Sequence, residues 1–123
     1  MSVVYDAGAL VAVDRNDRAM WAEHRIRLEV GILPVVTAPV VAQVSRSGRQ
    51  AQLRRFLRGC QIVPFEPAEA HTVGSLLAAA GMSDVVDAHV VVTGTGGVIV
   101  TSDPDDIGRL AAHAPEPIHI QAI

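Results

Sequence analysis

Six aspartates lie at the ends of three short apolar stretches of the chain: Asp6, Asp84, Asp87, Asp103, Asp105 and Asp106. Carboxylates that share one pocket repel one another and raise each other's pKa. A hard divalent cation such as Mg²⁺ or Mn²⁺ relieves that repulsion, because it prefers carboxylate and water oxygens as ligands. If the fold brings the three stretches together, the chemistry expected of them is the binding of a divalent cation.

Two predicted strands would position the first and last of these aspartates. Val3–Tyr5 and Val98–Thr101 are short, apolar and rich in β-branched residues, which is typical of buried strands. Asp6 directly follows the first, and Asp103 follows the second after one residue. Ligand sites in open α/β sheets collect outside the carboxyl ends of the strands, so both carboxylates are expected at one edge of the sheet.

A predicted helix would position the middle pair. Gly81 is expected to end the preceding helix and Ser83 to act as the N-cap of the next. Asp84 would then lie in the first turn, where the helix dipole favours negative charge, and Asp87 three residues later on the same face. The residues that follow are almost all apolar, so this helix is expected to be buried with two carboxylates at its start.

The rest of the chain alternates between predicted strands and helices. Further strands are predicted at residues 33–37, 62–65 and 118–120, and helices at 7–13, 18–30, 50–58 and 66–80, with others beginning at Thr37 or Ala38 and at Pro104. Such alternation predicts an α/β fold with a mostly parallel central sheet flanked by helices. The length of 123 residues suits one domain, residues 1–123, with one core.

Composition excludes several classes of function. All ten basic residues are arginine, so every mechanism that needs a lysine is excluded, including that of a phospho-accepting receiver domain. The net charge of −3 argues against a basic footprint over the whole surface. A single cysteine, Cys60, is expected to be a structural thiol in a reducing compartment. No apolar run approaches the roughly 20 residues of a membrane span, and no signal peptide is evident, so a cytoplasmic protein without a membrane partner is expected.

One region is basic although the chain is acidic. No acidic residue occurs between Gly31 and Phe65, and half of the arginines lie there: Arg46, Arg49, Arg54, Arg55 and Arg58. These residues could form a solvated helix face, a surface that tracks the phosphates of RNA, or a dock for an acidic protein partner. The sequence leaves the three possibilities open. Trp21, the only tryptophan, is expected to pack in the core or at a subunit contact.

Four motifs in this order resemble those of the PIN-domain ribonucleases. They are the apolar strand that ends in Asp6, the segment from Pro39 to Gln43, the Ser-Asp-Val-Val-Asp-Ala run from Ser83 to Ala88, and the Val-Thr-Ser-Asp run from Val100 to Asp103. In the residues of the last two motifs and in its small size, the chain is most similar to VapC, the toxin of VapBC toxin–antitoxin modules. The resemblance implies a PIN-like three-layer sandwich over nearly the whole chain.

The resemblance also implies an acidic site for Mg²⁺ or Mn²⁺. Asp6, Asp87 and Asp103 match three of the four family positions as metal ligands and catalytic residues, and Asp84 and Asp106 match accessory acids. Gln43 stands where the family usually has glutamate; it and Ser102 are expected beside the ligands rather than among them. The implied function is a metal-dependent endoribonuclease that acts as the toxin of a type II toxin–antitoxin system. The implied partners are an RNA substrate, a VapB-type antitoxin and a second copy of the chain in a homodimer.

Other interpretations of the same residues remain open. The neutral Gln43 suggests, as an alternative function, a non-catalytic PIN-like binding or regulatory module with a weakened metal site. Asp103 could serve only as a helix N-cap, and Asp84 only as a helix-start acid. Thr101 and Ser102 are expected to be strand-end hydrogen-bonding residues rather than nucleophiles, because no histidine is linked to them by a motif.

Overall fold

The computed structural model describes residues 2–123, which form five strands and seven helices. The strands are β1 (Val3–Tyr5), β2 (Val35–Thr37), β3 (Gln61–Val63), β4 (Val98–Thr101) and β5 (His119–Ala122). The helices are α1 (Ala7–Asp14), α2 (Arg18–Glu29), α3 (Ala38–Val44), α4 (Ala51–Leu57), α5 (Glu69–Ala80), α6 (Val85–Gly94) and α7 (Pro104–Ala111).

All five strands are parallel, in the order β3-β2-β1-β4-β5. The short central strand β1 is buried along its whole length and pairs with β2 through Val4 and Val35, and with β4 through Val4 and Ile99. The helices form two groups: α1 contacts α2, α3 and α4, whereas α5, α6 and α7 contact one another. The predicted α/β class with a parallel central sheet and flanking helices is confirmed.

Several predicted boundaries were wrong by two or three residues. Strand β2 begins at Val35 rather than at residue 33, and the carbonyl of Pro34 instead accepts a hydrogen bond from the Gln61 amide at the start of β3. Strand β3 ends at Val63, before residue 65, and β5 runs to Ala122 rather than ending at residue 120. Helix α5 begins at Glu69, because Glu66 and Pro67 lie in a turn before it. Apolar runs predict where a strand is, but the pairing partners decide where it ends.

Three of the four aromatic residues, Tyr5, Trp21 and Phe56, gather in one cluster at the end of β1. The Tyr5 and Phe56 rings lie 5.4 Å apart, and the Phe56 ring lies 4.1 Å from that of His24 and 5.3 Å from that of Trp21. The Tyr5 hydroxyl is 3.1 Å from His24 Nδ1 and accepts a 3.3 Å hydrogen bond from Arg27. This cluster joins α2 and α4 to β1, and the predicted packing role of Trp21 is confirmed.

Burial of the single cysteine also agrees with its predicted role. Burial raises the pKa of the Cys60 thiol to about 12, and the thiol contacts the Phe56 carbonyl oxygen at 3.5 Å. A thiol with so high a pKa carries almost no thiolate at neutral pH and is unreactive.

Within residues 2–123, no single helix is both long and apolar enough to cross a membrane. Helices α5 and α6 reach that length and composition only when taken together, and a bend of 107° separates them.

A close approach between α1 and the end of β4 predicts an unusual response to alanine. A Cβ atom on Gly8 would overlap the side chain of Ser102 and come within 3.0 Å of its backbone nitrogen, so rotation of the serine cannot remove the clash. We expect Gly8→Ala to lower the free energy of unfolding by about 1–3 kcal/mol, as overpacking does, measured by urea denaturation.

Gly74, exposed inside α5, provides the matched control. A Cβ there meets nothing within 4 Å, so Gly74→Ala should raise the free energy of unfolding by about 0.5–1 kcal/mol. Equal effects of the two substitutions would contradict the close contact between α1 and β4.

Candidate metal centre

Asp6 occupies the N-cap position of α1 but does not cap the helix. Its backbone is extended, with φ −82° and ψ 172°, and its side chain accepts no capping hydrogen bond. Instead Asp6 Oδ2 accepts a 2.8 Å hydrogen bond from the Thr101 hydroxyl. The other oxygen, Oδ1, is buried without a hydrogen-bond partner among residues 2–123, and only 5% of the residue is exposed. A buried carboxylate oxygen without a partner is costly unless a ligand meets it.

Asp84 and Asp103 do cap their helices. Asp84 Oδ1 accepts a 3.0 Å hydrogen bond from the Asp87 amide at the start of α6, and Asp103 Oδ1 accepts a 3.4 Å hydrogen bond from the Asp106 amide at the start of α7. The prediction that Ser83 caps α6 was therefore wrong, and Asp84 lies at the cap rather than in the first turn. The Asp84 carboxylate is the stronger cap because its negative charge interacts favourably with the helix N-terminus, whereas the Ser83 hydroxyl is neutral.

Three aspartates meet where β4 ends and α6 begins. One carboxylate oxygen from each of Asp87, Asp103 and Asp106 lies within 4.8 Å of the others. Burial, and then the charges of Asp6, Asp84, Asp103 and Asp106, raise the pKa of Asp87 to about 7. Burial likewise raises the pKa of Asp6, and Asp103 and Asp84 add to that rise. The shared electrostatic causes mean that all five predicted acids face one region, although Asp6 and Asp84 lie outside the tight group of three.

Thr101 connects two of these acids. While its hydroxyl donates to Asp6, the same oxygen accepts a 2.9 Å hydrogen bond from the Asp103 amide. Thr101 is fully buried, so water does not compete for either bond. Its predicted role as a strand-end hydrogen-bonding residue is confirmed. Ser102, for which the same role was predicted, makes no side-chain hydrogen bond within residues 2–123 and lies against Gly8, so that part of the prediction was wrong.

Gln43 and Arg109 lie on two of the flanking helices. Gln43 lies in the helix that follows β2, is exposed, and makes no side-chain hydrogen bond within the described chain. Arg109, which the sequence analysis did not single out, lies 3.8 Å from Asp106 one turn along α7. A salt bridge three residues apart on a helix is a pattern that the sequence does contain. A groove of about 750 Å³ is lined in part by Gly8, Arg15 and Ser102 but by none of the five predicted acids.

The arginines of the basic region separate into different environments. The Arg46 guanidinium donates to the carbonyls of Ala42 and Ser45, so it closes the end of α3. Arg55 stacks over the ring of Trp21 at 4.6 Å from its centroid. The other three are exposed and make no ion pair among residues 2–123: Arg49, Arg54 and Arg58.

The donor set of the acidic region fits a hard cation. Every candidate ligand is a carboxylate oxygen, with no cysteine or histidine in the group of three. Oxygen-only sites favour Mg²⁺ or Mn²⁺ over Zn²⁺ or copper. The partnerless oxygen of Asp6 and the raised pKa of Asp87 are both features that a bound cation would relieve.

The fold is similar to that of one chain in a known complex. A chain of VapBC2 from Rickettsia felis, in its crystal structure bound to a DNA fragment from the promoter, matches over 98% of each chain with a TM-score of 0.70 and 16% sequence identity. The chain has a PIN-like fold. That part of the resemblance found in the sequence is confirmed, although no protein-family model and no curated protein sequence matches the chain.

The pKa of Asp87 predicts how the stability of the metal-free PIN-like fold depends on pH. Because this pKa rises from 3.8 to about 7 on folding, the folded chain retains a proton that the unfolded chain releases in that range. Relative to Asp87→Asn, the free energy of unfolding of the wild type should therefore fall from about pH 4 to pH 7 and then level off. Urea denaturation in EDTA at a series of pH values measures the difference.

Asp105→Asn is the control for this measurement. Asp105 is exposed in the first turn of α7 and lies outside the group of three. Its variant should follow the pH dependence of the wild type. Parallel curves for wild type and Asp87→Asn would show that folding does not raise the pKa of Asp87.

Proposed function

We propose that this chain is a metal-dependent endoribonuclease and the toxin of a type II toxin–antitoxin system. The observation that carries the proposal is the buried, partnerless oxygen of Asp6, near carboxylates whose charges help to raise the pKa of Asp6 and of Asp87. A folded chain keeps such an arrangement against its electrostatic cost where the acids bind a cation. The PIN-like fold supports the proposal, since metal-dependent nucleases are built on this fold.

The side chains divide the work according to their environments. Asp6 and Asp87 would hold Mg²⁺ or Mn²⁺, because both are partly or fully buried and both have raised pKa values in its absence. When bound, the cation would supply a water of lowered pKa and neutralise charge on the scissile phosphate. Asp103 is exposed and would orient that water or accept its proton. Asp84 and Asp106 add negative charge around the cation, and Thr101 holds Asp6 and the Asp103 backbone in place.

An antitoxin partner is part of the proposal. The similar structure is a VapBC complex, and a VapB-type protein bound to this chain would keep the nuclease inactive. An arginine or another basic group of that partner would complement the acids as a cation does. A homodimer, in the cytoplasm, remains the assembly that we expect from the sequence.

A non-catalytic PIN-like module is the second candidate. It is favoured by Gln43, which is exposed on α3 and brings no charge where a glutamate would. In that case the acids would bind a cation weakly or not at all, and the chain would act by binding alone.

Cleavage of total RNA by the purified, partner-free chain tests the first candidate. We expect discrete fragments with Mg²⁺ or Mn²⁺ and none with EDTA. Asp6→Asn and Asp87→Asn should each lower the rate by about 10²–10³-fold, since each removes charge that acts on the transition state. Asp6→Asn preserves an oxygen that can accept from Thr101, so the variant should fold.

Asp105→Asn again serves as the control, because it removes the same charge a few residues from the site. Its rate should stay close to that of the wild type. Circular dichroism melts must show that every variant is folded. Absence of cleavage by folded wild-type protein with either cation would favour the non-catalytic module.

Gln43→Glu tests whether the missing charge weakens the cation site. We expect Mn²⁺ affinity, measured by calorimetry, to rise about tenfold or more, because one added charge near the cation contributes over about 1.4 kcal/mol. Gln61→Glu is the matched control, since Gln61 is exposed and begins β3 opposite Val35. It therefore lies at the amino ends of the strands, whereas the acids follow the carboxyl ends. Equal affinity of Gln43→Glu and wild type would mean that Gln43 does not face the cation.

A further inference from the structure

A second concave site lies outside the acidic centre, between α2 and α4. It has a volume of about 300 Å³ and is lined by Asn16, Arg18, Trp21, Ala22, Arg25 and Arg55. No acidic residue lines it, although the chain carries a net charge of −3. Three positive charges therefore converge on one small hollow in an otherwise acidic protein.

The pocket is built from one face of α2. Arg18, Trp21 and Arg25 follow one another at three- and four-residue spacing, which places them on the same side of the helix. Arg18 and Arg25 are exposed and make neither an ion pair nor a side-chain hydrogen bond within residues 2–123. The two residues lie two turns apart, about 10 Å along the helix, so their long side chains can reach one anion bound between them.

The third arginine is held in place by the indole ring. The guanidinium of Arg55 lies 4.6 Å from the Trp21 ring centroid, and the indole itself is fixed by a 3.2 Å hydrogen bond from its Nε1 to the Val13 carbonyl and by the edge of Phe56. Stacking on an aromatic face orders the guanidinium and leaves its N–H donors free. The charged group is thus pre-organised for an incoming oxyanion.

Two arginines outside the pocket have polar side-chain partners within the chain. Arg27 is mostly buried and bonds to Tyr5 and Gln121, and Arg109 pairs with Asp106. Within residues 2–123, Arg18 and Arg25 have no such polar partner, and Arg55 stacks on the Trp21 ring. All three guanidinium groups therefore keep N–H donors for a ligand.

We infer that this pocket binds a phosphate group of the RNA strand, at a position away from the phosphate that is cleaved. The inference rests on the proposed ribonuclease function. The acidic centre repels RNA, so the binding energy for a polyanion must come from elsewhere on the surface. The hollow is small, which suits one phosphate with its sugar better than an extended acidic segment of a protein. Arginine forks match phosphate oxygens in two-point hydrogen bonds.

The position of the pocket suits a strand that also enters the acidic centre. Asp6 lies immediately before α1 and Asn16 lies two residues after it. A helix of eight residues is about 12 Å long, so the two sites lie at opposite ends of one short helix. A strand of a few nucleotides would reach both.

The single tryptophan makes the pocket directly observable. Because Trp21 is the only tryptophan of the chain and lines the pocket, its fluorescence reports on binding there. The experiment uses the full chain with Asp87→Asn, in EDTA, so that RNA is bound and not cut. A single-stranded 12-nucleotide RNA, inorganic phosphate and a poly-glutamate peptide are titrated separately, and RNA affinity is also measured by anisotropy at several salt concentrations.

We expect RNA to change the Trp21 emission saturably. Arg18→Gln/Arg25→Gln should weaken RNA binding about tenfold and lower the slope of log affinity against log salt by about 0.7, the value for one lost phosphate contact on a single strand. The control is Arg49→Gln/Arg58→Gln, which removes the same charge from exposed arginines outside the pocket. Both double variants change exposed side chains only, and thermal melts check that each variant is folded.

Two results would overturn the inference. One is an equal loss of RNA affinity in both doubles, which would mean that only total charge matters. The other is a Trp21 response to poly-glutamate without a response to RNA, which would assign the pocket to an acidic protein. Binding is measured without cleavage, so absent ribonuclease activity with normal Trp21 responses would contradict the proposed function and leave the pocket supported.

Discussion

Electrostatic repulsion among carboxylates at one edge of the sheet is the constraint on which the rest of the structure depends. Asp6 is buried at the end of the central strand, and Asp87, Asp103 and Asp106 lie together at the starts of two helices. Each pair costs free energy when both members are ionised. The fold offsets part of that cost by directing the amino ends of α1, α6 and α7 toward the acids, because helix N-termini carry partial positive charge.

The parallel sheet explains why these groups meet. Strands β1 and β4 are neighbours with Tyr5 opposite Val100, so the residues that follow them emerge side by side. The strands are only three and four residues long and fully or almost fully buried, so apolar packing fixes them firmly. The acids are positioned by strand ends and helix starts rather than by long loops, which favours a precise arrangement.

Much of the acidic centre could be predicted from the sequence, because its signals are local. An apolar β-branched run followed by aspartate specifies a strand end, and Pro104 after Asp103 specifies a capped helix. The choice between Ser83 and Asp84 as the cap could not be predicted, since both residue types suit the position and the two alternatives differ by one residue in the helix start. Nor does a sequence show which oxygen of Asp6 lacks a partner, because Thr101 lies 95 residues away.

The arginine pocket could not be predicted for a different reason. Arg18 and Arg25 come from α2 and Arg55 from α4, and the packing of Trp21 and His24 on Phe56 brings the two helices together. Along the chain, Arg55 lies among the other arginines of the basic region and 30 residues from Arg25. The sequence predicts a basic region from arginines that are close along the chain. The structure shows that, of these arginines, Arg55 lines a pocket together with Arg18 and Arg25 of α2.

The double hydrogen bond of Thr101 has a consequence for regulation. One hydroxyl holds both the Asp6 carboxylate and the backbone amide that begins α7. A molecule that displaces the start of α7 must therefore also loosen Asp6, and a ligand that fixes Asp6 must stiffen α7. By thermodynamic reciprocity, each would alter the affinity of the chain for the other to the same extent. The hydroxyl of one buried threonine thus couples the position of α7 at the surface to that of the buried Asp6 carboxylate.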